Sequence, residues 1–91
     1  MKSGEKIKKE DNLKPVKLDD RFLILYNDDV HSFDYVINAL IEICRHDYMQ
    51  AAQCTLITHY KGKCDVKKGR FELLKPMKEA LIEKELNATI D

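Results

Sequence analysis

Five consecutive apolar positions, Phe22-Leu23-Ile24-Leu25-Tyr26, give way at once to three short polar ones, Asn27-Asp28-Asp29. A continuous apolar run of that length predicts a buried strand, and Asn and Asp suit the tight turn that must end it. From Phe33 the period changes. Phe33, Val36, Ile37, Leu40, Ile41 and Cys44 recur at helical spacing, with Ser32 placed to cap the start and Asp34 in the first turn. Arg45 and His46 follow where cations suit a helix C-terminus. A second helix is expected from Asp47, which with Gln50 resembles a capping box. Ala51, Ala52, Thr55, Leu56 and His59 repeat along it, and Gly62 stops it.

Lys63-Cys64-Asp65-Val66-Lys67-Lys68 alternates and predicts an edge strand, whose lysines discourage edge-to-edge pairing. Phe71 to Leu86 predicts a third helix with Phe71, Leu74, Met77, Leu81 and Ile82 on its apolar side. Pro76 interrupts that pattern: either the helix is kinked there or its regular part begins near Lys75. Asn87-Ala88-Thr89-Ile90-Asp91 reads as a last strand, because a sheet of only two strands would be marginal. The order is strand, helix, helix, strand, helix, strand, an α+β domain over residues 21–91. Residues 1–20 differ in kind. Lys, Glu and Asp dominate them, with Pro15 and a Leu13–Val16–Leu18 trio, too little apolar surface to order itself. A flexible N-terminal extension is expected there.

Composition then narrows the function by exclusion. Ninety-one residues, 44% of them hydrophobic, bound one small core. Lys+Arg and Asp+Glu both number 16, so the chain lacks the basic field of a nucleic-acid binder. The start, Met1-Lys2-Ser3-Gly4-Glu5-Lys6, leads into more charge rather than a secretory signal, and no apolar run approaches a membrane span. Three widely spaced cysteines do not form a disulfide framework, and a reducing, cytoplasmic setting is expected.

The candidate chemistry sits at the strand end. Asn27-Asp28-Asp29 presents an amide oxygen and two carboxylates at one rim, and His59 closes the second helix. Such acceptors suit a small cation such as a free amino terminus, or they are turn chemistry alone. Cys44, Cys54, Cys64, His46 and His59 lack zinc-ligand spacing, so no metal is expected, and Cys44 on an apolar face behaves as a small hydrophobe. No activated nucleophile, phosphate loop or cofactor motif accompanies them, which argues against an enzyme and against any cofactor. A small metal-dependent enzyme using His31, His59 and the aspartates is the rival such a constellation allows.

At these same residues the chain resembles the ClpS family, adaptors that hand N-end-rule substrates to the Clp AAA+ protease. The family's Asn-Asp-Asp after the first strand stands here as Asn27-Asp28-Asp29. Its Thr-Pro-Met-Glu-Phe-Val stands as His31-Ser32-Phe33-Asp34-Tyr35-Val36, and its second-helix ending of His and then Gly as His59-Tyr60-Lys61-Gly62. The resemblance is closest over residues 22–66 and continues in pattern through Ile90. It implies a small sandwich of a three-stranded antiparallel sheet with three helices. It also implies that Asn27, Asp28 and His59 bind the substrate's N-terminal amine, that Asp29 and His31 shape the rim, and that Phe33, Val36, Thr55 and Thr58 line a hydrophobic pocket. The implied partners are proteins beginning with destabilising bulky hydrophobic residues (N-degrons) and a ClpA- or ClpC-type AAA+ ATPase, toward which residues 1–20 would be fed.

The chain departs from the family pattern where selectivity is set. Phe33 replaces the methionine at the pocket gate, and Thr55 and Thr58 stand for Met and Val, making the pocket less apolar and more open to Tyr. The family's protease-docking surface on the third helix is poorly matched around Glu72–Lys78, and Pro76 is foreign to it. The alternative on the same fold is a protein-interaction module that has lost degron binding.

Overall fold

The first apolar run becomes the central strand of a three-stranded antiparallel sheet. A computed structural model describes residues 19–91; the extension expected over residues 1–20 lies outside them except for Asp19 and Asp20. The order is β1 (Asp20–Tyr26), α1 (Phe33–Cys44), α2 (Tyr48–Lys61), β2 (Lys63–Arg70), α3 (Phe71–Glu83) and β3 (Asn87–Ile90), as read from the sequence. The sheet runs β2-β1-β3, so β2 is an edge strand as expected. Alternation turns Leu23 and Leu25 of β1 into the core, where they join Leu40 of α1 and Leu74 and Leu81 of α3, all at most 1% exposed. Fully burying a side chain of this size is worth about 1.5–3 kcal/mol.

Both expected caps form. The Ser32 hydroxyl accepts from the Tyr35 amide at 3.1 Å, and the Asp47 carboxylate accepts from the Gln50 amide at 2.8 Å. The C-terminal end of α1 differs from expectation. Arg45 turns the chain with a φ of 61°, and His46, expected as a cation at the helix end, is instead 4% exposed. Its Nε2 donates to the Val66 carbonyl at 2.7 Å, and among the described residues its Nδ1 has no partner. Val66 is the extra residue of a bulge: Leu23 pairs with Lys67 while Ile24 pairs with Asp65. His46 therefore occupies a carbonyl that the bulge takes out of the ladder. The cation at the end of α1 comes from across the fold, as Lys67 Nζ donates to the Cys44 carbonyl at 3.1 Å.

Two helices differ from their predicted faces or limits. α2 buries Ala51, Cys54, Thr55 and Thr58, a regular helical stripe of small residues, while Leu56 points outward at 42% exposed and His59 lies on the exposed side. In α3, Leu74 and Leu81 are buried, but Phe71 and Ile82 are 42% and 48% exposed. That helix starts at Phe71, not near Lys75, and contains Pro76. The lost amide there would have met the carbonyl of Glu72, near the helix start, so most of the ladder is untouched. α3 ends at Glu83 rather than Leu86. Glu85 takes a φ of 65°, the Leu86 amide returns to the Leu81 carbonyl at 3.0 Å, and Leu86 is buried as a result.

Candidate functional site

One main-chain hydrogen bond brings the two halves of the rim together. The Asn27 amide, just past the end of β1, donates to the Gly62 carbonyl at 2.9 Å. Gly62 is the C-cap of α2 with a φ of 93°, its own amide bonded to the Thr58 carbonyl at 2.9 Å. Left-handed backbone is natural to glycine, so α2 stops there and delivers its last turn, with His59, beside Asn27.

Below this junction lies a cavity of about 170 Å³. Asn27, Asp28, Asp29, His31, Phe33, Val36, Thr55, Thr58 and His59, the nine residues singled out in the sequence, all line it. Leu25, Tyr26 and Leu86 line it as well. The first two were visible in the sequence only as strand. Leu86 was hidden because helical spacing extends α3 past its real end. A cavity of about 150 Å³ is enough to hold benzene, so this one fits a single large side chain.

The polar loop divides its labour differently from expectation. Asp28, not Asp29, holds the turn: its Oδ1 accepts from the Val30 amide at 2.8 Å and the His31 amide at 2.9 Å. Its Oδ2 lies 3.0 Å from His31 Nδ1, which must carry the proton because a carboxylate only accepts. Burial works against the charged form of Asp28, but the His31 amide, the His31 ring and the Val30 amide outweigh it, leaving the carboxyl below its ordinary value. His31 in turn stacks on Tyr35, ring centroids 4.7 Å apart, and the Tyr35 hydroxyl donates to the Lys84 carbonyl at 2.9 Å. The rim is thus braced from Asp28 to the turn before β3. Asp29 is exposed and, among the described residues, makes no hydrogen bond.

Across the cavity, the His59 ring meets Phe33 edge-on at 5.3 Å and Tyr60 at 4.9 Å. The Asn27 side-chain amide and the His59 ring nitrogens have no hydrogen-bond partner among the described residues. Two groups of different chemistry, each able to accept a hydrogen bond, therefore stand at the rim of a cavity lined by both polar and apolar side chains.

The cysteines lie behind this wall. Cys44 and Cys54 are buried and Cys64 is half-buried, all as free thiols. Burial pushes the Cys44 thiol up to about 11, against the pull of the Lys67 cation, and the Cys64 thiol up to about 12 with Cys54 beside it. Thiols so raised are poor nucleophiles and poor metal ligands at neutral pH. Among the described residues, no three His, Cys, Asp or Glu side chains converge to hold a metal ion. No helix among them is long and apolar enough to cross a membrane.

A family model described as ATP-dependent Clp protease adaptor protein ClpS matches residues 19–89. No curated protein sequence matches closely enough to count as a relative. Among solved structures, the fold is similar to that of Agrobacterium tumefaciens ClpS2 bound to L-phenylalaninamide, with a TM-score of 0.74 at 20% identity. That match covers 82% of this chain and 98% of the other.

Proposed function

The chain belongs to the ClpS family of adaptors of the ATP-dependent Clp protease, and we propose that it binds proteins through a free amino terminus followed by a bulky hydrophobic first side chain, delivering them to a Clp AAA+ ATPase. The observation that carries this reading is that Asn27 and His59, whose side chains make no hydrogen bond to the described residues, both line a cavity the size of one side chain. A free α-amino group has a pKa of about 7.7–8.0, so near neutral pH it is mainly an ammonium with three donors. The Asn27 amide oxygen and a neutral His59 ring nitrogen each accept one. Asp28, held ionised by His31 and the loop amides, supplies negative charge at the same rim. The side chain behind the ammonium fills the cavity, and its burial adds about 1.5–3 kcal/mol. The ligand in the Agrobacterium protein, L-phenylalaninamide, combines a free amine with a benzyl side chain, the same pair of features.

The test is a titration of labelled peptides beginning with Phe, Tyr or Leu, each with an N-acetylated counterpart. Acetylation should abolish binding, because it removes the charge and two of the three donors. Asn27→Ala and His59→Ala should each weaken binding by about 1.5–3 kcal/mol, the range for hydrogen bonds to charged groups, with circular dichroism unchanged. Normal binding by both variants would leave an interaction module of the same fold without degron recognition.

A further inference from the structure

Thr55 and Thr58 line the cavity from one face of α2 and are 3% and 4% exposed. Their protons are already in use. The Thr55 hydroxyl donates to the Ala51 carbonyl at 2.8 Å, and the Thr58 hydroxyl donates to the Cys54 carbonyl at 2.7 Å. A hydroxyl has one proton and two acceptor positions, so each threonine offers the cavity acceptor capacity alone. The Cys64 thiol, a weak donor, lies beside Thr58. Leu25, Val36 and Leu86 supply apolar wall to the same cavity.

We infer that this acceptor pair makes the pocket selective for an N-terminal tyrosine over phenylalanine or leucine, an inference that rests on the reading of the cavity as an N-terminal side-chain pocket. A phenol carries what the cavity lacks, a donor at the far end of a flat apolar ring. Phenylalanine or leucine brings no donor to the remaining lone pair of either threonine oxygen. Tyrosine fills the same space and brings its own O–H to donate. The ring supplies the apolar contact in either case, and the hydroxyl decides between them.

The experiment compares peptides differing only in a first residue of Tyr, Phe, Leu, 4-fluorophenylalanine or 4-aminophenylalanine. Tyr should bind on the order of tenfold tighter than Phe. The 4-amino ring, which keeps a donor, should follow Tyr, and the 4-fluoro ring, which fills space without one, should follow Phe. The double variant Thr55→Val with Thr58→Val should reverse the order, strengthening Phe and weakening Tyr. Thr55→Ser with Thr58→Ser, which retains both hydroxyls, should keep the Tyr preference. If Phe- or Leu-initiated peptides bind in an amine-dependent way but Tyr has no advantage, the inference is overturned while the proposed function stands. The same holds if 4-fluorophenylalanine equals Tyr. If no free-amine peptide binds at all, both fall.

Discussion

α1 and α2 are neighbours in sequence and in space, yet their inner faces are made of different material. α1 buries Ile37, Ala39, Leu40 and Cys44; α2 buries Ala51, Cys54, Thr55 and Thr58. The large apolar residues of α2, Leu56 and Ile57, are 42% and 39% exposed. Aliphatic side chains interdigitate and close space, whereas small and hydroxylated ones leave it open. The cavity lies between the two helices, with Thr55, Thr58 and His59 of α2 and Phe33 and Val36 of α1 in its wall. α1 thus supplies more of the aliphatic packing, and α2 more of the polar wall.

The sharpest way to break that contrast is Leu40→Ala. Leu40 is fully enclosed, and its truncation should destabilise the domain by about 2–5 kcal/mol in urea unfolding. A loss under about 1 kcal/mol would mean that α1 is not the cohesive partner. Next comes Gly62→Ala at the end of α2. A Cβ there meets no atom within 4 Å, so the cost is backbone strain alone, about 1–2 kcal/mol. Because the Gly62 carbonyl holds Asn27, peptide affinity should fall together with stability. A variant that loses stability but binds normally would uncouple the helix end from the rim.

Asp28→Asn tests the loop that leads into α1 and should cost about 1 kcal/mol at pH 7. Folding lowers the Asp28 carboxyl, so its contribution is complete above the ordinary carboxylate value of about 3.9 and fades as pH falls through the lowered one. The gap between wild type and variant should therefore narrow as pH falls below about 3.9, which paired denaturation curves at pH 7 and in acid would check. The smallest effect belongs to Leu56→Ala. A residue so exposed should cost no more than about 0.5–1 kcal/mol despite being the largest aliphatic on α2 that the sequence pattern turns inward.

That last residue marks where the sequence stops being legible. The caps, the glycine stop and the central strand follow from local chemistry, and Ser32, Asp47, Gly62 and the run from Phe22 announce them without reference to anything distant. The inner face of α2 depends on how much space α1 and the sheet have already filled, and hydrophobicity alone turns Leu56 inward in place of Cys54 and Thr58. His46 departs from its expected place for a related reason. Its partner is the carbonyl of a bulge residue on β2, and neither the bulge nor the pairing has a local signal. The site residues could be named because short polar side chains ended an apolar run and a histidine closed a helix. That Asp28 would be occupied by His31, leaving Asn27 and His59 open, needed the fold of the loop.

The hydrogen bond from Asn27 to Gly62 joins main chain to main chain, and that makes it indifferent to which side chains stand nearby. Substitutions at Phe33, Thr55 or Thr58 can alter what the hollow prefers while the distance across its lip stays fixed by peptide groups that mutation does not rewrite. On the proposed reading, a lineage carrying this arrangement can drift from one preferred first residue to another through ordinary point changes, each intermediate still holding the amine. Preference is free to evolve here because the frame around it is spelled in backbone.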